Sequence, residues 1–156
     1  MNIFYLDKNP KRAAQLQYNK HVVKMILESA QMLCTTHRFY GNDDVAYKTA
    51  HLNHPSTVWV RENSLHYDWL YSHMIWLGHE YYDRYGKMHL SITKCARPLL
   101  YAPDDMPQSP FKQPPQCMPD EYKHKCSVQA YWNYYIGEKH AVANTKTEKL
   151  YEQRPY

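Results

Sequence analysis

Glycine is scarce, at 4 residues in 156, and the 3 phenylalanines are outnumbered by 16 tyrosines. The phosphate-cradling turns of Rossmann and P-loop proteins need glycine where backbone closes tightly on an anion, so both classes are excluded. No apolar run reaches the length of about 18 residues that a membrane span requires. The opening MNIFYLDKNPKR has neither a long apolar stretch nor a small-residue cleavage site, which predicts no signal peptide and a cytoplasmic location. Disorder is excluded from the other side, because 15% aromatic residues can bury a core.

Cysteine is also sparse. Cys34, Cys95, Cys117 and Cys126 form no CxxC pair, and their wide spacing suits neither a zinc ribbon nor a dense disulfide scaffold. Without a secretory signal, reduced thiols are expected. The 10 histidines invite a metal, especially His51 with His54 and Cys117 with His124 and Cys126. No spacing there matches a ligand frame, so histidines on helix surfaces and ends are the reading, with no metal and no cofactor expected. GxSxG, HExxH, GxxxxGK[ST] and HxE…PCxxC are all absent, which removes most hydrolase, kinase and deaminase chemistry. Catalysis by an amine and a carboxylate needs no dense motif and survives.

The length of 156 residues suits one domain over 1–156. Helical signals dominate. Asn9 before Pro10 starts a helix, and Val22, Ile26, Ala30 and Leu33 carry the helical period towards Arg38. A break near Gln17–Asn19 is expected in that stretch, and Gly41 closes it. Residues 3–6 (IFYL) read as a strand or a buried N-terminal segment. A short helix is possible at Val45–His51, and another element begins at His54, with Pro55 early and Ser56 as its cap. The longest helix spans about Ser64–Tyr85, with Leu65, Trp69, Trp76 and Leu77 facing the core and Gly86 ending it. A further helix is expected over Lys87–Ala96, stopped by Pro98. Seven of the 10 prolines fall within residues 98–119, so 98–126 reads as a long proline-rich loop. Ser127 caps a last helix running from Val128 to about Val142, followed by an irregular tail at 144–156. The expected class is all-α, with three to five helices.

Charge is modest in total, +4, but uneven in placement. Lys8, Lys11, Arg12, Lys20 and Lys24 against Asp7 make the N-terminal 24 residues basic. Lys123, Lys125, Lys139, Lys146, Lys149 and Arg154 outweigh Glu138, Glu148 and Glu152 at the other end. Two basic ends folded onto one face would attract phosphates.

Two spacings carry candidate chemistry. His21, Lys24 and Glu28 lie on one side of a helix, where an imidazole, an ammonium and a carboxylate can move protons. An ordinary solvated face with a Lys24–Glu28 pair is the alternative. His73 and Glu80 repeat the seven-residue spacing along an apolar stripe and are read as a supporting pair behind the site. Tyr131, Trp132, Tyr134 and Tyr135, followed by Lys139, could stack bases and hold phosphate. The competing use of those rings is core.

With these residues in view, the chain resembles the small phage pyrimidine-dimer DNA glycosylase/AP lyases of the endonuclease V type. The resemblance rests on NKHVVKMILES at 19–29, HPSTVWV at 54–60, NSLHYDWLYSHMIWLGHEYYDRYGK at 63–87 and AYWNYYIGEKHA at 130–141. It implies an endonuclease V-like all-α fold and a virus-encoded protein acting on DNA in the host cell. It also implies an amine nucleophile that attacks deoxyribose C1′ and a helix carboxylate that assists base release and β-elimination. The carboxylate falls on Glu28, the helix histidine on His21, and the DNA-contacting aromatic and basic positions on Trp132, Tyr134, Tyr135 and Lys139. The chain departs from the pattern in three places. Asn2 disfavours removal of Met1, which makes the Met1 amine the nucleophile if imine chemistry operates. Leu27 and Gln31 stand where the family has arginines, and the 98–119 loop is longer than the resemblance explains. The missing arginines and the modest overall charge favour a second reading, a phage counter-defence protein that binds or cleaves a small nucleotide, with Lys24 or Arg61 on its phosphate.

Overall fold

A computed structural model describes residues 1–139. Six α-helices follow one another, α1 (Pro10–Gln15), α2 (Asn19–Phe39), α3 (Pro55–Arg61), α4 (Ser64–Tyr85), α5 (Leu90–Cys95) and α6 (Ser127–Gly137), with a 3-10 turn at Asp120–Tyr122 before α6. The architecture is all-α, with no strand among the described residues. The count of six exceeds the expected three to five because the short elements expected at the break near residue 17, at His54 and before Pro98 each form a separate helix. The Asn9 side chain accepts from the Lys11 and Arg12 amides at 2.9 and 3.2 Å, so α1 is separately capped. Asn63 turns extended and accepts from the Leu65 amide at 2.9 Å, which divides α3 from α4.

The break at residues 16–18 is held open by Arg84 of α4. Its guanidinium donates to the Gln15 and Gln17 carbonyls at 3.1 and 2.7 Å and to Asn19 Oδ1 at 2.9 Å. Glu80 accepts from the same group at 2.7 Å. An orphaned helix end and a helix start are therefore satisfied by one buried cation whose charge is balanced within its own helix.

Helices α2 and α4 pack along each other, with α1 on α4 and α3 and α5 against α2. The α2 stripe of Val22, Ile26, Ala30 and Leu33 is fully buried. The α4 stripe is borne out in part: Leu77 is fully buried as expected, Trp69 and Trp76 pack on the core while half-buried at its edge, Leu65 is exposed, and Tyr67, Leu70 and Met74 complete the inward face. Indole favours that border, since Trp69 Nε1 donates to the Lys8 carbonyl at 2.8 Å and Lys11 sits 4.5 Å above Trp76. Gly86 ends α4 in the left-handed region at φ 72°.

Of the two readings of residues 3–6 the buried segment holds, with Ile3, Phe4, Tyr5 and Leu6 in the core. Four local expectations change. No helix forms at 45–51, because Arg38 claims the Val45 and Tyr47 carbonyls at 3.1 and 2.8 Å. His54 and His89, through Nδ1, cap α3 and α5 by accepting from the Ser56 and Ser91 amides at 3.1 Å each. Ser56 is therefore inside α3, and α5 starts later than Lys87. Ser127 opens α6 but donates its hydroxyl to the Pro114 carbonyl at 2.9 Å instead of capping. The expected extension to Val142 and the 144–156 tail lie outside the described residues.

The proline-rich segment is a strap tied down along its length. His66 Nε2 accepts from the Lys112 amide and Trp59 Nε1 donates to the Lys112 carbonyl, both at 2.9 Å. Asn63 Nδ2 donates to Ser109 O at 2.7 Å, and the Tyr131 hydroxyl to Pro115 O at 2.7 Å. Side chains thus supply the partners that a helix or sheet would otherwise supply.

Candidate active site

The first three turns of α2 and the N-terminal segment meet at a cleft of about 340 Å³. Met1, Asn2 and Phe4 line one side, Lys20, His21, Lys24, Met25 and Glu28 another, and Tyr134 and Lys139 close it. The helical spacing of His21, Lys24 and Glu28 therefore places all three on one cavity, joined by Met1 and Lys139.

Glu28 is held asymmetrically. Its Oε1 lies 3.6 Å from Lys24 Nζ, and its Oε2 is buried with no hydrogen-bond partner among the described residues. A buried carboxylate oxygen left unpaired is costly, and such groups mark places where a ligand, a water or a proton completes the arrangement.

His21 is buried beneath the cleft. Its ring stacks on Phe4 at 4.3 Å and 7°, and its Nδ1 shares a 2.6 Å hydrogen bond with the Tyr135 hydroxyl. Burial first, then the fields of Lys139, Lys24 and Lys20, lower its pKa to about 4. The imidazole is neutral at physiological pH, and the cleft's positive charge resides on the lysines that line it.

The N-terminus is fastened by its own side chains. Asn2 Oδ1 accepts from the Ile3 amide at 2.9 Å while its Nδ2 donates to the Cys117 carbonyl of the strap at 3.0 Å. The Thr57 hydroxyl of α3 points to Met1 Sδ at 3.9 Å. Phe4 adopts φ 54°, a left-handed conformation that costs a non-glycine residue about 1–3 kcal/mol. This bend turns the chain so that Phe4 enters the core while Met1 and Asn2 stay at the cleft. His54 lies within electrostatic reach of both chemical partners: burial and the N-terminal amine lower its pKa, and Glu28 raises it.

The other candidate residues sit elsewhere. Tyr131, Trp132 and Tyr135 are core residues with no open face, Trp132 donating to the Leu6 carbonyl at 2.9 Å. Only Tyr134 reaches the cleft, with Lys139 4.8 Å over its ring. Arg61 does not line it; it sits 4.6 Å over Phe39 and donates to the Leu52 carbonyl. His73 does not pair with Glu80. It is fully buried, with Nδ1 donating to the Pro10 carbonyl and Nε2 accepting from Gln17 Nε2, both at 3.0 Å.

Sequence reasoning passed over Lys20, although it lies four residues before Lys24 and hence on the same helix face. Asn2, Phe4 and His54 carried no periodic signal, since they belong to irregular backbone or a cap. Comparison with known proteins adds no relative: no family model, curated protein or solved structure matches the chain.

Proposed function

We propose that this protein is a DNA glycosylase/AP lyase that acts on a damaged or modified base through the Met1 α-amine and Glu28. The observation that carries the reading is the shared cleft: the N-terminal residue and a buried, half-unpaired carboxylate line one cavity with three lysines.

The chemistry follows from those groups. A neutral α-amine, less basic than a lysine side chain, attacks C1′ of the deoxyribose of a nucleotide turned out of the stack. The C1′–N bond to the base breaks, the base leaves with a proton, and the sugar ring opens to an imine with Met1. Glu28 then takes the C2′ proton, and the electron pair moves to expel the 3′ phosphate. Water hydrolyses the imine and restores the amine. Lys20, Lys24 and Lys139 hold the flanking phosphates, and Tyr134 offers one partly open ring edge beside them.

Borohydride reduction on duplex containing an abasic site tests this reading. A covalent protein–DNA adduct mapping to Met1 is expected, and its absence with an unblocked N-terminus overturns the mechanism. One observation favours a second reading. With Tyr131, Trp132 and Tyr135 in the core, no row of rings among the described residues is available to a strand, and the cleft suits a small phosphorylated ligand, such as a signalling nucleotide bound in counter-defence. Micromolar binding of a nucleotide, without salt-sensitive duplex binding, selects that alternative.

A further inference from the structure

The positive charge of the cleft is concentrated on one spot. Lys20, Lys24 and Lys139 line the same cleft as His21. Among the described residues Glu28 is the one acidic residue lining the cleft, and it engages Lys24 at a loose 3.6 Å. Lys139 has a distant partner in Glu138 at 3.9 Å, and Lys20 forms no ion pair among the described residues. An internal phosphodiester brings a single negative charge, whereas a terminal phosphomonoester carries roughly −1.5 to −2 near neutral pH. A volume of about 340 Å³ sits at the small end of ligand cavities, which suits one sugar phosphate better than a length of strand.

We propose that the cleft processes a terminal 5′-phosphorylated deoxyribose left at an incised abasic site, with Lys20, Lys24 and Lys139 gripping the phosphate dianion. The inference rests on the amine chemistry proposed above and names its substrate. The Met1 amine condenses with the C1′ aldehyde of the open sugar and releases water. Glu28 takes a proton from C2′, the C3′–O bond breaks, and the electron pair leaves on the phosphate that links the sugar to the strand. The products are a strand with a free 5′ phosphate and an unsaturated sugar 5-phosphate, freed from Met1 by hydrolysis. Binding of the dianion also draws Lys24 from Glu28, which frees Oε1 of the carboxylate to take the C2′ proton.

Borohydride trapping with the full-length chain tests this on three duplexes: an internal abasic site, an incised site bearing 5′-deoxyribose phosphate, and the same incised site lacking the 5′ phosphate. The phosphorylated incised duplex should be trapped about tenfold faster than either other duplex, the effect of one charge-assisted hydrogen bond or more. Lys20→Ala, at an exposed position, should lower trapping of the phosphorylated incised duplex several-fold more than trapping of the duplex lacking the phosphate, and Lys20→Arg should restore the difference. Equal trapping with and without the 5′ phosphate, or a Lys20→Ala loss equal on both, overturns the inference while the glycosylase/lyase reading stands. No adduct on any duplex overturns both.

Discussion

Glu28 pairs with Lys24 through one oxygen at 3.6 Å and keeps the other buried without a partner among the described residues. The pair is unequal, since the Lys24 side chain is 66% exposed and that of Glu28 only 14%. Lys24 is therefore free to move towards an incoming anion, while the carboxylate stays in place. Glu28→Gln keeps the shape and removes the base. Single-turnover cleavage of an abasic duplex should fall by about 10²–10⁴-fold, with the unfolding free energy changed by less than about 1 kcal/mol. A fall in activity matched by a collapse in thermal stability would instead make Glu28 structural.

Asn2 and Thr57 fix where the first residue lies, so the position of the amine is a matter of chain geometry. One glycine added ahead of Met1 displaces the amine by roughly 3.5 Å into the cleft or past it. Trapping on abasic DNA should be lost, while far-ultraviolet circular dichroism and the melting temperature remain those of the parent chain. Undiminished trapping in the extended chain, mapped to a lysine, would assign the nucleophile to Lys20, Lys24 or Lys139.

The two buried histidines make stability depend on pH in a defined window. Burial lowers the pKa of both His21 and His73 from 6.5 to about 4. The unfolded chain therefore binds protons between pH 6.5 and 4 that the folded chain does not, and stability falls as pH drops through that range. Above 6.5 the contribution is complete; below about 4 none of it is left. Each histidine contributes at most roughly 3 kcal/mol. His73 is the cleaner probe, because both ring nitrogens are already engaged by Pro10 and Gln17. Urea unfolding of His73→Gln across the window should show a slope shallower by one proton than the parent chain. An unchanged slope would mean that His73 is charged in the folded state.

The helix periods were legible where burial follows a single face. The α2 stripe and the Gly86 stop depend only on residues within their own helix, and the spacing of His21, Lys24 and Glu28 carried straight into the cleft. The α4 stripe was legible only in part: Leu77 is buried as expected and Leu65 is not, while Trp69 and Trp76 stay at the core's boundary because Lys8 and Lys11 offer ring and N–H a partner. The aromatic run of α6 read equally as stacking surface or core. What decided it is the N-terminal segment, whose Phe4 and Leu6 pack on Tyr131, Trp132 and Tyr135 from more than a hundred residues away in sequence. Asn2 and Phe4 enter the site for the same reason: their roles come from long-range contacts and from one left-handed φ, neither of which leaves a local pattern.

The strap offers a test of how those distant contacts reach the cleft. His66 accepts from the Lys112 amide at Nε2 and therefore donates from Nδ1 to the Trp59 carbonyl at 2.7 Å, which fixes the neutral tautomer. Its pKa is lowered, chiefly by burial, in keeping with a ring whose second proton would face the Lys112 N–H. From Lys112 the strap runs to Cys117, whose carbonyl holds Asn2 beside Met1. His66→Ala leaves the Lys112 amide and the Trp59 carbonyl without their partners, at a cost of about 1–3 kcal/mol each. Tryptic cleavage after the exposed Lys112 should accelerate about tenfold or more as the strap lifts, by the corresponding shift in the opening equilibrium. Trapping on abasic DNA should weaken in parallel, because Asn2 loses its anchor, and the unaltered Glu28–Lys24 pair cannot compensate for a misplaced amine. Faster proteolysis with undiminished trapping would show that Asn2 holds the N-terminus in place without the strap.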